Sequence, residues 1–463
     1  MSNLFSTLHV GSTGLRTSTS LMHATGQNVA NANTEGYSRR SGRVVNADPV
    51  RRYGHQFGEG AKLDGFTRHA DVLIDERLMR SIGEESRSRT GYQTLYPIES
   101  YFSADVPNGP AGALDDFFDS LTELTTDPSD RTLRETVLSS ADRLTESVQR
   151  TAQALQDRID GIVDELDATM ASVNDKLEAI ARLNNRVAEA SGSFGEGDFQ
   201  DQRDGIIREL AESIGVVAEF SGDGQATLML GGHAVVQGGT ARELSLTTDA
   251  SGSPQVNLST GTGGGTLSVT DELSGEFGGL LEANDAVEAY AADLDTWVDT
   301  FGAAMNTQHN AGFDSAGVAG GDFFSFTAGA EAITFAVDTT LLADPTLLAT
   351  AGAVTAAAGD GDNLDLMLDI ESQSLHTGAT RTTGQALSDI YASVGRDLEN
   401  MELDQQTFFL ELDDLRALRD SVSSVDLDEE AADLLAYQAS YQASARMISA
   451  TNELLDTLIG MGR

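Results

Sequence analysis

Cysteine is absent from the 463-residue chain, which removes disulfides, thiolate nucleophiles and sulfur-ligated zinc together. Basic residues are scarce: 29 Lys and Arg stand against 73 Asp and Glu, for a net charge of −44. A nucleic-acid duplex or an anionic membrane recruits a basic footprint, so neither is expected as the main partner. No apolar run approaches the roughly 20 residues needed to cross a bilayer, and no membrane insertion is expected. The opening residues Met1 to Ser6 lack the charged and apolar regions of a cleaved secretory leader. What remains is a chain long enough for two or three domains with sizeable cores.

The charge is unevenly spread. Residues 1–90 hold 12 bases and 9 acids, which leaves −47 for the remainder. A four-three spacing runs through Leu4, Leu8, Gly11, Leu15, Ser18, Met22, Thr25 and Val29, and stops at the helix-ending Asn33-Thr34-Glu35-Gly36. It recurs at the other end in Leu427, Ala431, Leu434, Gln438, Tyr441, Ala445, Ile448, Asn452, Leu455 and Ile459. Both spacings predict helices of about 45 to 50 Å. Between them, Leu133 to Val187 keeps helical spacing without a proline, with companions at Leu280 to Gln308 and Gln385 to Leu418, an elongated helical bundle. From Gly215 to Thr270, short Val, Leu and Thr runs broken by Gly, Ser and Asp predict a small β domain, with Ile333 to Val337 a candidate addition. The fold class is mainly α with an inserted β domain and a coiled-coil-like pair of terminal helices. The expected domains are 1–40 with 422–463, 41–204 with 272–421, and 205–271, with 312–345 a candidate for the outer domain.

Motifs with chemistry are few. The Gly261 to Thr266 run has no Lys-Ser/Thr pair after it and reads as a hairpin connection rather than a phosphate loop. The acidic run Gly359 to Asp365 lacks the ligand spacing and closing Glu of a calcium loop and reads as the start of a helix. Seven scattered histidines form no pair on one helical face. No catalytic, cofactor or metal residues are assigned, and no enzymatic activity is expected; an enzyme such as a peptidoglycan hydrolase is the remote alternative. The terminal stripes are too narrow for either helix to stand alone. They are either an assembly interface completed by neighbouring copies or an ordinary antiparallel pair closing a monomer.

The stretch Asn28-Val29-Ala30-Asn31-Ala32-Asn33-Thr34-Glu35-Gly36-Tyr37-Ser38-Arg39 resembles the N-terminal signature of bacterial flagellar rod, hook and hook-associated proteins. Val425 to Ala431 and Tyr437 to Arg446 resemble its C-terminal counterpart. The interior is similar to the hook-associated members: Phe117 to Leu121 with Pro128, Arg134 and Val137-Leu138; Asp201-Gln202-Arg203-Asp204; Ser274 to Glu282; Asn306 to Gly312, then Gly321-Asp322-Phe323-Phe324. The resemblance implies a structural adaptor at the hook–filament junction, with a hook or distal-rod subunit as the alternative. It implies export through the flagellar type III apparatus and an extracellular place in the flagellum. Implied partners are a ring of further copies, the hook protein, a second junction protein and an export chaperone bound near the C-terminus. The implied assembly residues are Leu4, Leu8, Leu15, Met22, Val29, Asn33, Gly36, Tyr37, Leu427, Leu434, Tyr441, Ile448 and Leu455. Gly36 is read first as a positive-φ helix end. Tyr37 is either a local anchor or a subunit contact, Tyr441 either pair core or assembly contact, and Phe117-Phe118 bundle core.

Overall fold

A computed structural model describes residues 2–461 other than 35, 53–54, 103–108, 191–195, 222–223, 251, 262–263, 356–358 and 377. Glu35 of the terminal signature and Thr262-Gly263 of the glycine run lie outside the described residues. Helix α1 (Ser2–Ala30) leads into a ribbon of β1 (Arg40–Asn46), β2 (Val50–Arg52), β3 (His55–Phe57) and β4 (Ala61–Arg68). Then come α2 (Val72–Phe102), α3 (Pro110–Leu124), α4 (Arg131–Ala190) and α5 (Glu196–Ile214). Strands β5 (Val217–Phe220), β6 (Ala226–Leu230), β7 (His233–Gln237) and β8 (Thr240–Ala241) form one antiparallel sheet in sequence order. Strands β9 (Leu244–Thr248), β10 (Pro254–Ser259) and β11 (Thr266–Ser268) form another. The chain returns through α6 (Gly275–Ala311), β12 (Phe324–Ser325), α7 (Glu331–Thr334), β13 (Ala336–Val337), α8 (Thr339–Ala343), α9 (Asp362–Ser372), α10 (Thr383–Ser423) and α11 (Leu427–Met461).

Helix α4 spans 60 residues, about 90 Å at 1.5 Å per residue. Its buried face (Val137, Leu144, Leu155, Leu166, Leu177, Val187) stays in register over that length. Several partners cover it: α3, α5, α6, α7 and strands β7 to β9, with Arg134 bonded to the Pro128 and Leu348 carbonyls near its start and Asn174 and Asn184 bonded to the Leu244, Ala226 and Gly238 backbone towards its end. At the α3 end, Phe117, Phe118, Trp297, Phe301, Phe323, Phe324 and Phe335 form one buried aromatic cluster, with Phe324 and Phe335 centroids 4.7 Å apart. Such tilted and edge-to-face rings add to simple area burial. The expectation that Phe117-Phe118 is bundle core holds.

Helix α2 packs between α6 and α10. It escapes a search for apolar periodicity because much of its buried face is Ser81, Gly83, Ser86, Ser88, Gly91 and Thr94. Small residues let backbones approach: a Cβ on Gly279 of α6 would collide with the Arg87 carbonyl oxygen and lie 2.9 Å from the Gly91 nitrogen.

The β region alternates as half-buried strands must, buried at Ala226, Leu228 and Leu230 and again at Pro254, Val256 and Leu258. The ribbon at 40–68 carries little hydrophobic signal, because β1 does not alternate and, of the residues of β1 and β4, only Arg40 is buried. Ile333 to Val337 is corrected. Ile333 and Thr334 are helical, and only Ala336–Val337 is a strand, paired with Phe324–Ser325. The Ala332 amide donates to Asp295 Oδ1 on α6 (2.7 Å), and Phe335 is fully buried, so this segment is stapled to the bundle rather than added to the outer sheets. The acidic run at 359–365 does start a helix, α9, where Asp360 Oδ1 accepts from the Asp362 amide.

Candidate assembly interface

Helix α1 lies between α11 and the ribbon. Towards α11 it presents small residues: a Cβ on Gly14 would stand 2.6 Å from Ser444 Oγ, and one on Gly11 2.8 Å from Ile448 Cγ1. Ser18 Oγ donates to Ser440 Oγ at 3.2 Å. Towards the ribbon, Thr13 and Thr17 hydroxyls donate to the Glu59 and Ala61 carbonyls, and Leu21 covers Gly42.

This double covering changes which residues are buried. Leu4, Leu8, Leu15 and Met22 are half-buried, whereas Leu21 and Asn28 are buried, Val29 is 45% exposed and Asn33 is exposed. The seven-residue spacing drifts about 20° per heptad on a straight helix, and the ribbon claims the flank at Leu21. On α11, Leu434, Ile448 and Leu455 are half-buried, but Leu427 and Tyr441 are exposed, as are Gln438 and Asn452. Only Glu430 and Thr451 of its 35 residues are buried. Leu435, Leu454, Leu458, Ile459 and Met461 are all exposed. Tyr441 is therefore not pair core within one chain.

Where α1 ends, Asn28 is buried and clamps the turn. Its Nδ2 donates to the Arg40 carbonyl (2.9 Å), while its Oδ1 accepts from the Arg40 amide (3.1 Å) and Tyr37 Oη (2.8 Å). Burial pushes the Tyr37 hydroxyl up to about 12, against the opposing pull of Arg40. Tyr37 is thus a local anchor in the single chain. Gly36 has the positive φ expected of it, +78°, but in the turn six residues beyond the end of α1 rather than at the helix end itself, and its carbonyl accepts from Arg419 Nη2 at 3.1 Å.

The joint between this terminal unit and the bundle is ionic. Within the terminal unit, Arg39 ties the end of α1 to α11: its Nε donates to Glu430 Oε1 (2.7 Å) and its Nη2 lies 3.0 Å from Glu429. Across to α5 of the bundle, Arg40 pairs with Asp198 (2.8 Å) and Asp201, and Arg68 with Asp204 and Asp201; inside the bundle beside them, Arg419 of α10 lies 3.3 Å from Asp75 of α2. Burial raises the Asp75 and Asp201 carboxyls, and the neighbouring guanidiniums hold part of that back. No described residue of α1, the ribbon or α11 belongs to either cluster of the apolar core. Asp201 and Asp204 of the interior motif hold this joint, a role their local spacing does not reveal. The adjacent Arg39-Arg40 in so acidic a chain was the available signal.

A cleft of about 620 Å³ opens beside this joint, lined among others by Asn33, Gly36, Glu85, Arg208, Glu212 and Arg419. Arg89 pairs with both Glu85 and Glu212, so its carboxylates face bases rather than each other.

Residues 95–324 match the model of the flagellar hook-associated protein FlgK helical domain, and 419–461 match that of the flagellar basal body rod FlgEFG protein C-terminal region. Flagellar hook-associated protein 1 of Escherichia coli is 23% identical over 97% of this chain and 98% of its own length. That of Bacillus subtilis is 25% identical over 100% and 99%. The chain belongs to the flagellar hook-associated protein 1 family. The flagellar hook junction protein FlgK of Burkholderia pseudomallei has the same fold, with a TM-score of 0.67 at 14% identity, over 75% of this chain and 100% of that one.

The interior motifs that resemble this family do structural work here. Asn306 Oδ1 accepts from the Phe323 and Phe324 amides, both at 2.8 Å, and its Nδ2 donates to the Phe324 carbonyl. His309 is buried; its Nδ1–H donates to the Gly321 carbonyl (2.6 Å), so Nε2 is left to accept from the Ala349 amide (2.9 Å). Burial lowers its pKa, in keeping with this neutral tautomer. Arg134 spends its guanidinium on the Pro128 and Leu348 carbonyls and the Thr350 hydroxyl. Arg203 stacks over Phe220 at 5.1 Å and donates to the Gly224 carbonyl, tying α5 to the β5–β6 turn.

Proposed function

We propose that the chain is a structural layer of the bacterial flagellum at the junction of hook and filament, an adaptor that must be in place before the filament assembles. The family is a structural one, and the match extends over nearly the whole length of its curated relatives. The single observation that carries the finer reading is the state of the terminal pair. Helix α11 leaves apolar side chains bare along its length, including Leu435, Leu454 and Ile459. Apolar surface of this extent is a site for other protein. Further copies of the chain, stacked as a ring, supply that cover, with Leu4, Leu8, Leu15, Met22, Val29, Leu427, Leu434, Tyr441, Ile448 and Leu455 at or beside the contacts. Asn33, Gly36 and Tyr37 shape the turn that holds α1 to the bundle.

In this reading the terminal unit runs to residue 68, because the ribbon packs on α1. The helical bundle and the 205–271 β region lie outside it. The hook protein sits on one side and the second junction protein on the other. The chain leaves the cell through the flagellar export apparatus, with a chaperone on the C-terminal helix. Among the described residues no helix is long and apolar enough to cross a membrane, and no group of three acidic or histidine residues is placed to hold a metal. The role is mechanical rather than catalytic.

Deletion of the gene tests this by electron microscopy. The junction reading expects hooks without filaments, with filaments restored when the chain is supplied again. Missing hooks would favour a hook or distal-rod subunit, and turnover of peptidoglycan by the purified chain would overturn the mechanical role.

A further inference from the structure

Helix α10 buries one face, including Val394, Leu398, Met401, Leu412 and Leu415, mainly against α2 and α6. The opposite face is apolar as well. Leu403 is 62% exposed and Leu410 65%, seven residues apart and so nearly eclipsed on the helix, and the adjacent Phe409 is 55% exposed. Exposed carboxylates surround them: Glu399, Glu402, Asp404, Glu411, Asp413 and Asp414. None of the six has an ion-pair partner among the described residues, and residues 397–415 contain seven acids and no base.

The ribbon carries a surface of the complementary kind. Residues 40–68 hold six bases and three acids. Two of those bases, Arg40 and Arg68, are committed to α5, but Arg51 and Lys62 are exposed, beside the exposed Val44, Val45 and Val50. The ribbon cannot cover α10 of its own chain, because Thr13 and Thr17 bind it to α1 while Arg40 and Arg68 bind it to α5. We propose that the outward face of α10 receives the β1–β4 ribbon of a second copy of the chain through the face that carries the cross-strand pair Val45 and Lys62, the valine against Leu403, Phe409 and Leu410 and the bases against the carboxylates. Opposite charge fixes register and suppresses the pairing of two α10 faces, which would set acid against acid. This rests on the proposed role as an assembled layer and adds which surfaces meet.

The absence of cysteine makes the test direct. Val45→Cys and Leu410→Cys are placed in separate copies and expressed together in a strain lacking the native chain, and the cells are oxidised. A disulfide-linked dimer at least tenfold above that from either variant alone is expected, and likewise for Lys62→Cys with Leu403→Cys. All four positions are exposed, so folding is not at stake. Filaments with no mixed dimer from either pair would overturn the proposal. So would a dimer of Leu410→Cys with itself, or a cross-link from α10 to a different protein. As a second readout, Glu402→Lys with Asp413→Lys should lower filament number at least tenfold, and Arg51→Glu with Lys62→Glu should restore it; unchanged filament number would also overturn the proposal. If the unaltered chain supports no filaments in the same strain, it is the functional reading that fails.

Discussion

Asn184→Ala is the sharpest probe of how the β region is fixed to the rod. Asn184 sits on α4 with no exposed surface, and its amide makes four contacts. Nδ2 donates to the Ala226 carbonyl (2.7 Å) and the Gly238 carbonyl (2.8 Å), while Oδ1 accepts from the Ala226 amide (3.0 Å) and Arg203 Nη1 (3.3 Å). Arg203 keeps its bond to Gly224, so alanine strips a buried partner from three backbone groups. Each such loss costs about 1 to 3 kcal/mol. Water entering the vacated space recovers part of this, which leaves about 3 to 4 kcal/mol in total. A chain with several packed units does not unfold in one step, so local opening is the better measure. Hydrogen exchange at the Ala226 amide should quicken by roughly 100- to 1000-fold, since each 1.4 kcal/mol is tenfold. Exchange in α4 between Val137 and Leu155 should be unchanged. An Ala226 amide as protected as in the native chain would refute the reasoning.

Other expectations follow from the same geometry. Gly279→Ala pushes a methyl into the backbone of α2 and should destabilise the bundle by about 1 to 3 kcal/mol. Gly161→Ala on α4 meets no atom within 4 Å and should stabilise it by about 0.5 to 1 kcal/mol; urea unfolding of the two should differ in sign. Gly14→Leu wedges α1 from α11 and should abolish filaments while leaving the thermal transition of the bundle in place. His309 is neutral when folded and has a lowered pKa, so below about pH 6.5 the unfolded chain takes up a proton that the folded chain refuses. Its contribution to stability is whole above that pH and falls by up to about 1.4 kcal/mol per unit as pH drops towards the folded pKa. An NMR titration showing a His309 midpoint at or above 6.5 would contradict the assigned tautomer.

The long helices were legible because α4, α6 and α10 bury continuous apolar faces, and a 3.6-residue period survives in any sequence built that way. Helix α2 was not, because Ser86, Gly91 and Thr94 are chosen for close approach and carry little hydrophobic signal. The terminal stripes were visible, but their heptad reading placed Met22 and Val29 where the structure buries Leu21 and Asn28, since nothing in the spacing announces a ribbon on the second flank. Arg39 reaches Glu430 on α11, and the ionic joint ties Arg40 to Asp201 on α5, pairings across hundreds of residues in the first case and over a hundred in the second. Local pattern cannot supply such partners. The motifs around Asn306 and Arg203 were recognisable as a resemblance, yet their purpose, satisfying backbone groups of distant loops, became clear only from the bonds they make.

The central claim is that the terminal helix pair is left half-covered by its own chain and is completed by neighbours. Hydrogen exchange of residues 2–30 and 427–461, measured on the dilute chain and again on chains assembled at hook ends, tests it most directly. The account predicts rapid exchange in the dilute chain and strong protection after assembly, with α4 slow in both. Terminal helices as protected as α4 in the dilute, unassembled chain would contradict it.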